Sequence, residues 1–304
     1  MHLRPIEAAA LRTNVKVSRS QFVDVRGLSY HVRTWGEAGA PKLFLLHGWM
    51  DVSASFQFLV DALAGQWHVL APDWRGFGPS ETPQDGYWFP DYVADLDALV
   101  HTFAPVERVD VVGHSLGGNV AMLWAGARAE KASRIVSLDA FGVPGDASDR
   151  APDKLRAWLD ALGDPPSFTP YASFAAVADR LQKNNRRLTR DKAEFLAPYW
   201  AEEMPDGTAR LRADAKHKLP FPTTSRIDDV YAIWRRIACP VLWIAADHSH
   251  VPKWLSAGGD PREEVARRFA HVPNGTLEYV SDASHMLHHD QPEAVARLIE
   301  QFLD

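Results

Sequence analysis

The sequence predicts an α/β fold: a mostly parallel sheet of about eight strands, covered by helices on both faces, with a large helical segment inserted after the sixth strand. Three observations predict it. Short apolar runs alternate with stretches whose apolar residues recur at helical spacing, the rhythm of buried parallel strands and crossover helices. One such run, 109–112, leads straight into Gly113-His114-Ser115-Leu116-Gly117 and then into the helix-forming run 119–127. The rhythm breaks between about 142 and 227, a Pro-rich stretch with many aromatics and no clear strand.

In chain order, residues 1–20 are irregular and read as an extension. Residues 21–26 and 28–35 suit a hairpin around Gly27. Residues 43–46 are an apolar strand ending at His47-Gly48, 54–63 have helical spacing, and 67–71 form a buried strand ending in Pro72-Asp73. Residues 89–103 place Phe89, Tyr92, Val93, Leu96, Val100 and Phe103 on one helix face. Further strands are expected at 134–138, 241–245 and 277–280. The last helix is expected to start near Asp290, with Glu293 completing a capping box and Val295, Leu298, Ile299 and Phe302 as its apolar stripe. The expected division is a core from 1–141 and 228–304, with a helical lid at 142–227.

Composition narrows the function classes. The 304 residues are 46% apolar and 24% charged, enough to bury a large core without staples. A net charge of −6 with scattered charges gives no footprint for nucleic acid or anionic membrane. No run reaches signal-peptide or membrane-span length, so the expected location is the cytoplasm. The single cysteine, Cys239, excludes an internal disulfide and precedes an apolar strand as a core thiol. The oligomeric state is not legible.

The chemistry centres on Ser115. A strand that turns sharply into a helix pushes the residue at the turn out alone, with the helix N-terminus behind it. Gly113 and Gly117 suit this turn because a Cβ at either would crowd it. A serine nucleophile needs a base, and the base needs an orienting acid. His285, in Ser281-Asp282-Ala283-Ser284-His285-Met286, lies between the last strand and the last helix, at the sheet edge where the serine points. The backbone N–H of Leu116 and that of Trp49 are the expected pair of oxyanion donors. His47 is expected to brace the loop carrying Trp49. A metal cluster of His285, His288, His289 and Asp290 is disfavoured, because adjacent histidines lack the open spacing of zinc enzymes. No metal or organic cofactor is implied.

These residues carry a resemblance. His47-Gly48-Trp49, Asp73-x-Arg75-Gly76-x-Gly78-x-Ser80, Gly113-His114-Ser115-Leu116-Gly117-Gly118 and Ala283-Ser284-His285-Met286 resemble the α/β-hydrolase superfamily, in its lid-bearing serine hydrolase and esterase branch. The finer pattern His47-Gly48-Trp49-Met50-Asp51 is similar to that of the serine hydrolase-like proteins. The resemblance covers about 21–142 and 228–304. It implies an α/β-hydrolase fold, and buttressing roles for Asp73 and Arg75.

The acid departs from the pattern. The family commonly places it after the strand at 241–245. Counting back from Pro252 lands on His248, and counting forward from Pro240 lands near Ser249 or His250. Asp247 is close but out of register. Some members carry the acid after the sixth strand, where this chain has Asp139. Asp139 is the favoured candidate and Asp247 the alternative. The expected activity is hydrolysis of a carboxylic ester, a small molecule with an apolar acyl or aryl part. Rivals on the same machinery are a lactonase, an amidase and a carbon–carbon bond hydrolase of dienone acids. The last would need a carboxylate-binding arginine from among Arg180, Arg186, Arg187 and Arg190. A rival of another class is a non-catalytic ligand-binding homologue.

Overall fold

A computed structural model describes residues 15–304. Eight strands form one sheet: β1 (Arg19–Val25), β2 (Leu28–Trp35), β3 (Lys42–Leu46), β4 (His68–Pro72), β5 (Val109–His114), β6 (Ala132–Leu138), β9 (Val241–Ala246) and β10 (Gly275–Val280). Their order is β1-β2-β4-β3-β5-β6-β9-β10. β1, β2 and β4 pair antiparallel, and every pair from β4 to β10 is parallel. The mostly parallel eight-stranded sheet expected from the sequence is therefore present. Of the expected extension at 1–20, residues 1–14 lie outside the described residues, and Arg19 and Ser20 belong to β1.

Helices cover both faces. α1 (Gln57–Ala62) and α11 (Pro292–Leu303) pack on one, with Leu59, Val295 and Ile299 against Leu45, Val112 and Leu242. α2 (Phe89–Phe103), α3 (Leu116–Ala127), α7 (Ile227–Trp234) and α9 (Pro261–Phe269) pack on the other, with Leu96, Val120, Trp234 and Val265 against Val111, Ile135 and Trp243. α8 (Val251–Leu255) and α10 (Leu287–Asp290) are short turns at the sheet's C-terminal edge. Cys239 is buried as expected, and burial pushes its thiol up to about 11. Among the described residues no helix is long and apolar enough to cross a membrane.

The segment between β6 and β9 carries α4 (Ala151–Gly163), α5 (Phe174–Asn184), α6 (Arg190–Trp200) and then a hairpin of β7 (Ala201–Glu203) and β8 (Ala209–Leu211). The hairpin corrects the expectation of no strands there. Val177, Leu181, Leu196 and Ala209 form a separate small core with Phe58 of α1. The last helix also differs from expectation: its N-cap is Gln291, with no side-chain cap bond. Asp290 is used elsewhere, accepting from the Ser284 backbone N–H and hydroxyl and from Asn185 Nδ2.

Candidate active site

Parallel strands deliver their C-terminal ends to one edge, and the expected residues converge there. Ser115 follows β5, Asp139 follows β6, and His285 lies in the loop after β10. The turn at Ser115 is strained, with φ at 51° and ψ at −113°. A Cβ on Gly117 would come within 2.1 Å of the Leu46 carbonyl oxygen, and one on Gly113 within 2.4 Å of the Gly117 carbonyl. Only glycine permits this approach of the α3 start to the β3 end. Asp139 also has a left-handed backbone, φ 49°, held by its N–H to the Ile244 carbonyl at 2.8 Å.

The three side chains form one hydrogen-bonded chain. The Ser115 hydroxyl donates to His285 Nε2 at 3.0 Å, and His285 Nδ1–H donates to Asp139 Oδ2 at 2.7 Å. Asp139 also accepts the Ser249 hydroxyl at 2.5 Å and the Ala246 N–H at 3.2 Å. Asp247 is not in this chain. It accepts the N–H groups of Asp282 and Ala283 at 3.1 and 3.2 Å and so ties down the loop that carries His285. Ser249 is a residue sequence reasoning did not assign. It stands at one of the positions reached by counting for the usual acid, and its hydroxyl supports the carboxylate supplied from β6.

The loop after β3 packs against the turn. A Cβ on Gly48 would meet the His114 ring at 2.9 Å and the Ser115 Cβ at 3.2 Å. Neither the Trp49 nor the Leu116 backbone N–H has an acceptor among the described residues. His47 braces this loop: Nδ1–H donates to the Gly48 carbonyl at 2.7 Å, and Nε2 accepts the Trp74 N–H at 2.9 Å. Asp73 accepts the Ser53 N–H and pairs with His31, both at 2.5 Å, while Arg75 holds Asp95 with two bonds of 2.6 Å. Both are buried scaffold contacts away from Ser115.

A family model described as "Alpha/beta hydrolase family" matches residues 43–298, which hold the six strands from β3 to β10 in the sheet and the loops that carry Ser115, Asp139 and His285. The chain belongs to the α/β hydrolase family. It is 26% identical over 279 residues to a "Serine hydrolase-like protein" of Danio rerio, covering 89% of this chain and 84% of that one. It is 27% identical to "AB hydrolase superfamily protein YfhM" of Bacillus subtilis (strain 168), covering 94% and 98%. The crystal structure of "hypothetical protein PA1622" from Pseudomonas aeruginosa PAO1 superposes with a TM-score of 0.83 at 26% identity, covering 93% and 99%.

Two cavities of this α/β hydrolase reach Ser115. One, of about 630 Å³, contains Leu116 and is walled by Trp88, Phe141, Trp158, Leu162 and Phe221. The other, of about 570 Å³, contains His285 and is walled by Tyr171, Leu196, Trp200, Arg180 and Lys218. Trp49, 52% exposed, borders both. The segment 216–222 walls them too. Its His217 is stacked between Phe77 and Tyr87 at 3.8 and 3.5 Å, and burial pushes its imidazole down to about 3.

Among the described residues, the metal set weighed from sequence is not gathered. His289 bonds to Ser55, Asp290 to Ser284 and Asn185, and His288 instead faces His114 and Asp51. Burial is the main cause that pushes His114, His288 and His289 down, His289 to about 4. The same burial pushes the Asp51 carboxyl up to about 7; Val52 N–H, Ser55 and Trp200 lie close enough to oppose this without reaching hydrogen-bond geometry. The sign for stability follows. Below about 6.5 the unfolded chain protonates histidines that the folded chain keeps neutral, so each costs about 1.4 kcal/mol per pH unit as pH falls toward its folded value. Asp51, which keeps its proton up to about 7 in the folded state, opposes this by one proton. Urea midpoints of the chelator-stripped chain should therefore fall steadily from pH 7 to pH 5; a flat profile would show that these rings titrate normally.

Proposed function

We propose that this α/β hydrolase cleaves carboxylic esters through an acyl-enzyme intermediate, with Ser115, His285 and Asp139 as catalytic triad. The observation that carries the reading is the unbroken chain from the Ser115 hydroxyl through His285 to Asp139. Ser115 Oγ attacks the acyl carbon as its proton passes to His285 Nε2. The carbonyl oxygen becomes an oxyanion held by the N–H groups of Leu116 and Trp49. The carbon–oxygen bond to the leaving alcohol then breaks, and that alcohol takes the proton from His285. Water gives a proton to His285, attacks the acyl carbon, and Ser115 departs with the proton restored. Asp139 holds the Nδ1–H tautomer and stabilises the imidazolium.

The two cavities suggest the substrate's orientation. His285 must face the leaving oxygen to protonate it, so the leaving group belongs in the cavity that contains His285. The acyl part belongs beside Leu116, where Phe141, Trp158 and Phe221 favour an apolar chain or ring. The insertion acts as the lid that walls both. The test is release of p-nitrophenol from esters running from acetate to dodecanoate. Turnover that rises with acyl length and then falls supports the reading, and no turnover on any ester removes it.

One observation favours a second reading, the carbon–carbon bond hydrolase. Arg180 lines the leaving-group cavity with no acidic partner among the described residues. Arg187, by contrast, pairs with Asp282, and Arg190 with Asp179 and Glu194. A carboxylate on the departing part of the substrate would meet Arg180 and Lys218. The discriminating substrates are two esters of one acyl chain, with hydroxyphenylpropionate or its amide as leaving group. Arg180→Gln should lower kcat/KM for the carboxylate ester by about tenfold or more, the value of one charge-assisted hydrogen bond, and leave the amide ester unchanged. Equal losses on both would assign Arg180 to packing alone.

A further inference from the structure

We infer that Asp51, His114 and His288 together bind one divalent transition-metal ion of the zinc type, directly behind Ser115. The three residues come from distant parts of the chain: the loop after β3, the last position of β5, and α10. They are 3%, 1% and 0% exposed. Both oxygens of Asp51, Nδ1 of His114 and both ring nitrogens of His288 lack a hydrogen-bond partner. Buried polar atoms are rarely left so, and here one such atom from each of the three residues faces a common point.

The spacing suits a shared occupant. One ligand atom from each residue lies within 4.8 Å of the other two, while none of these pairs is hydrogen-bonded. Some point therefore lies within about 2.8 Å of all three, and an ion would draw them in to its usual ~2.0–2.2 Å. The tautomer is already set for it. His114 Nε2–H donates to the His285 carbonyl at 2.8 Å, which leaves a lone pair on the orphaned Nδ1. Metal-ligating imidazoles are commonly anchored in this way through their other nitrogen. Two neutral imidazoles and one carboxylate select a first-row transition metal over calcium or magnesium. The ion would balance the negative charge that Asp51 takes on when it gives up its proton to ligate. Access is available, because Asp51 and His114 both line the 570 Å³ cavity that holds His285.

The site sits beside the reacting groups without belonging to them. His114 precedes Ser115 in the chain and bonds to the His285 backbone, so the ion would fix the positions of both. The inference does not rest on ester hydrolysis. Its test is metal content of the full chain, stripped with chelator, then equilibrated with Zn²⁺ or Co²⁺ and dialysed. The expected result is one ion per chain, with the visible absorption of nitrogen- and oxygen-ligated Co²⁺. Binding should weaken by about tenfold or more in Asp51→Asn and in His288→Gln, since each removes a ligand. It should persist in His285→Ala and His250→Ala, which remove the nearby histidines on which an adventitious ion would sit. Asp51→Asn conserves shape and decides the matter if His288→Gln fails to fold. A folded wild-type chain that retains no metal would overturn the inference and leave a buried water as the shared occupant. Binding that survives Asp51→Asn, or that disappears in His285→Ala, would overturn it equally.

Discussion

The Ser115→Ala variant is expected to lose ester turnover by about 10⁴-fold or more while keeping its fold. The loss follows from the proposed mechanism: among the described residues no other hydroxyl is bonded to His285 Nε2 to form the acyl intermediate in its place. The fold is spared because Ala occupies the same left-handed backbone at no greater cost than Ser, and the glycine contacts that shape the turn belong to Gly113 and Gly117. Circular dichroism and a thermal melt check the fold, and a fluorophosphonate probe checks the nucleophile. Wild type should label and the variant should not. Ester activity that survives the substitution refutes Ser115 as nucleophile. A wild-type chain that neither labels nor turns over any ester would favour the binding-protein reading.

The second large effect is expected at the acid. Asp139→Asn should lower kcat by about 10⁴-fold, the loss seen when a serine protease's acid is replaced by its amide, with little change in KM. The amide can present N–H to His285 Nδ1, which favours the tautomer that cannot accept the serine proton. It also leaves no charge to stabilise the imidazolium. Asp247→Asn should act differently. Asp247 receives two backbone N–H bonds from the loop of His285, so its loss should lower the melting temperature and change kcat only a few-fold. The opposite pattern, with Asp247→Asn costing far more activity than Asp139→Asn, would move the acid to β9.

What was legible in the sequence was what is local. The strand–glycine–serine–glycine–helix run is one stretch of chain, and so is the strand-to-helix loop of His285. Their positions at one edge follow from parallel pairing alone. The acid was ambiguous because Asp139 and Asp247 end adjacent strands. Their distance to His285 depends on the β6–β9 register and on the left-handed turn at Asp139, which no spacing reveals. The β7–β8 hairpin was missed because its strands are three residues long, although Pro205-Asp206-Gly207 carries the composition of a tight turn. Asp290 was misread as a helix cap because Ser284 and Asn185, which claim its carboxylate, are brought to it by packing. The meeting of Asp51, His114 and His288 was invisible for the same reason.

The placement of the two cavities has an evolutionary consequence. The groups of the proposed triad sit at strand ends whose positions are fixed by the sheet's hydrogen bonds, while much of both cavity walls comes from the insertion between β6 and β9. Substitutions at Trp158, Leu162, Arg180 or Lys218 can therefore reshape what is recognised without disturbing Ser115, His285 or Asp139. Descendants of one ancestral chain can part ways in diet while sharing the same cutting edge.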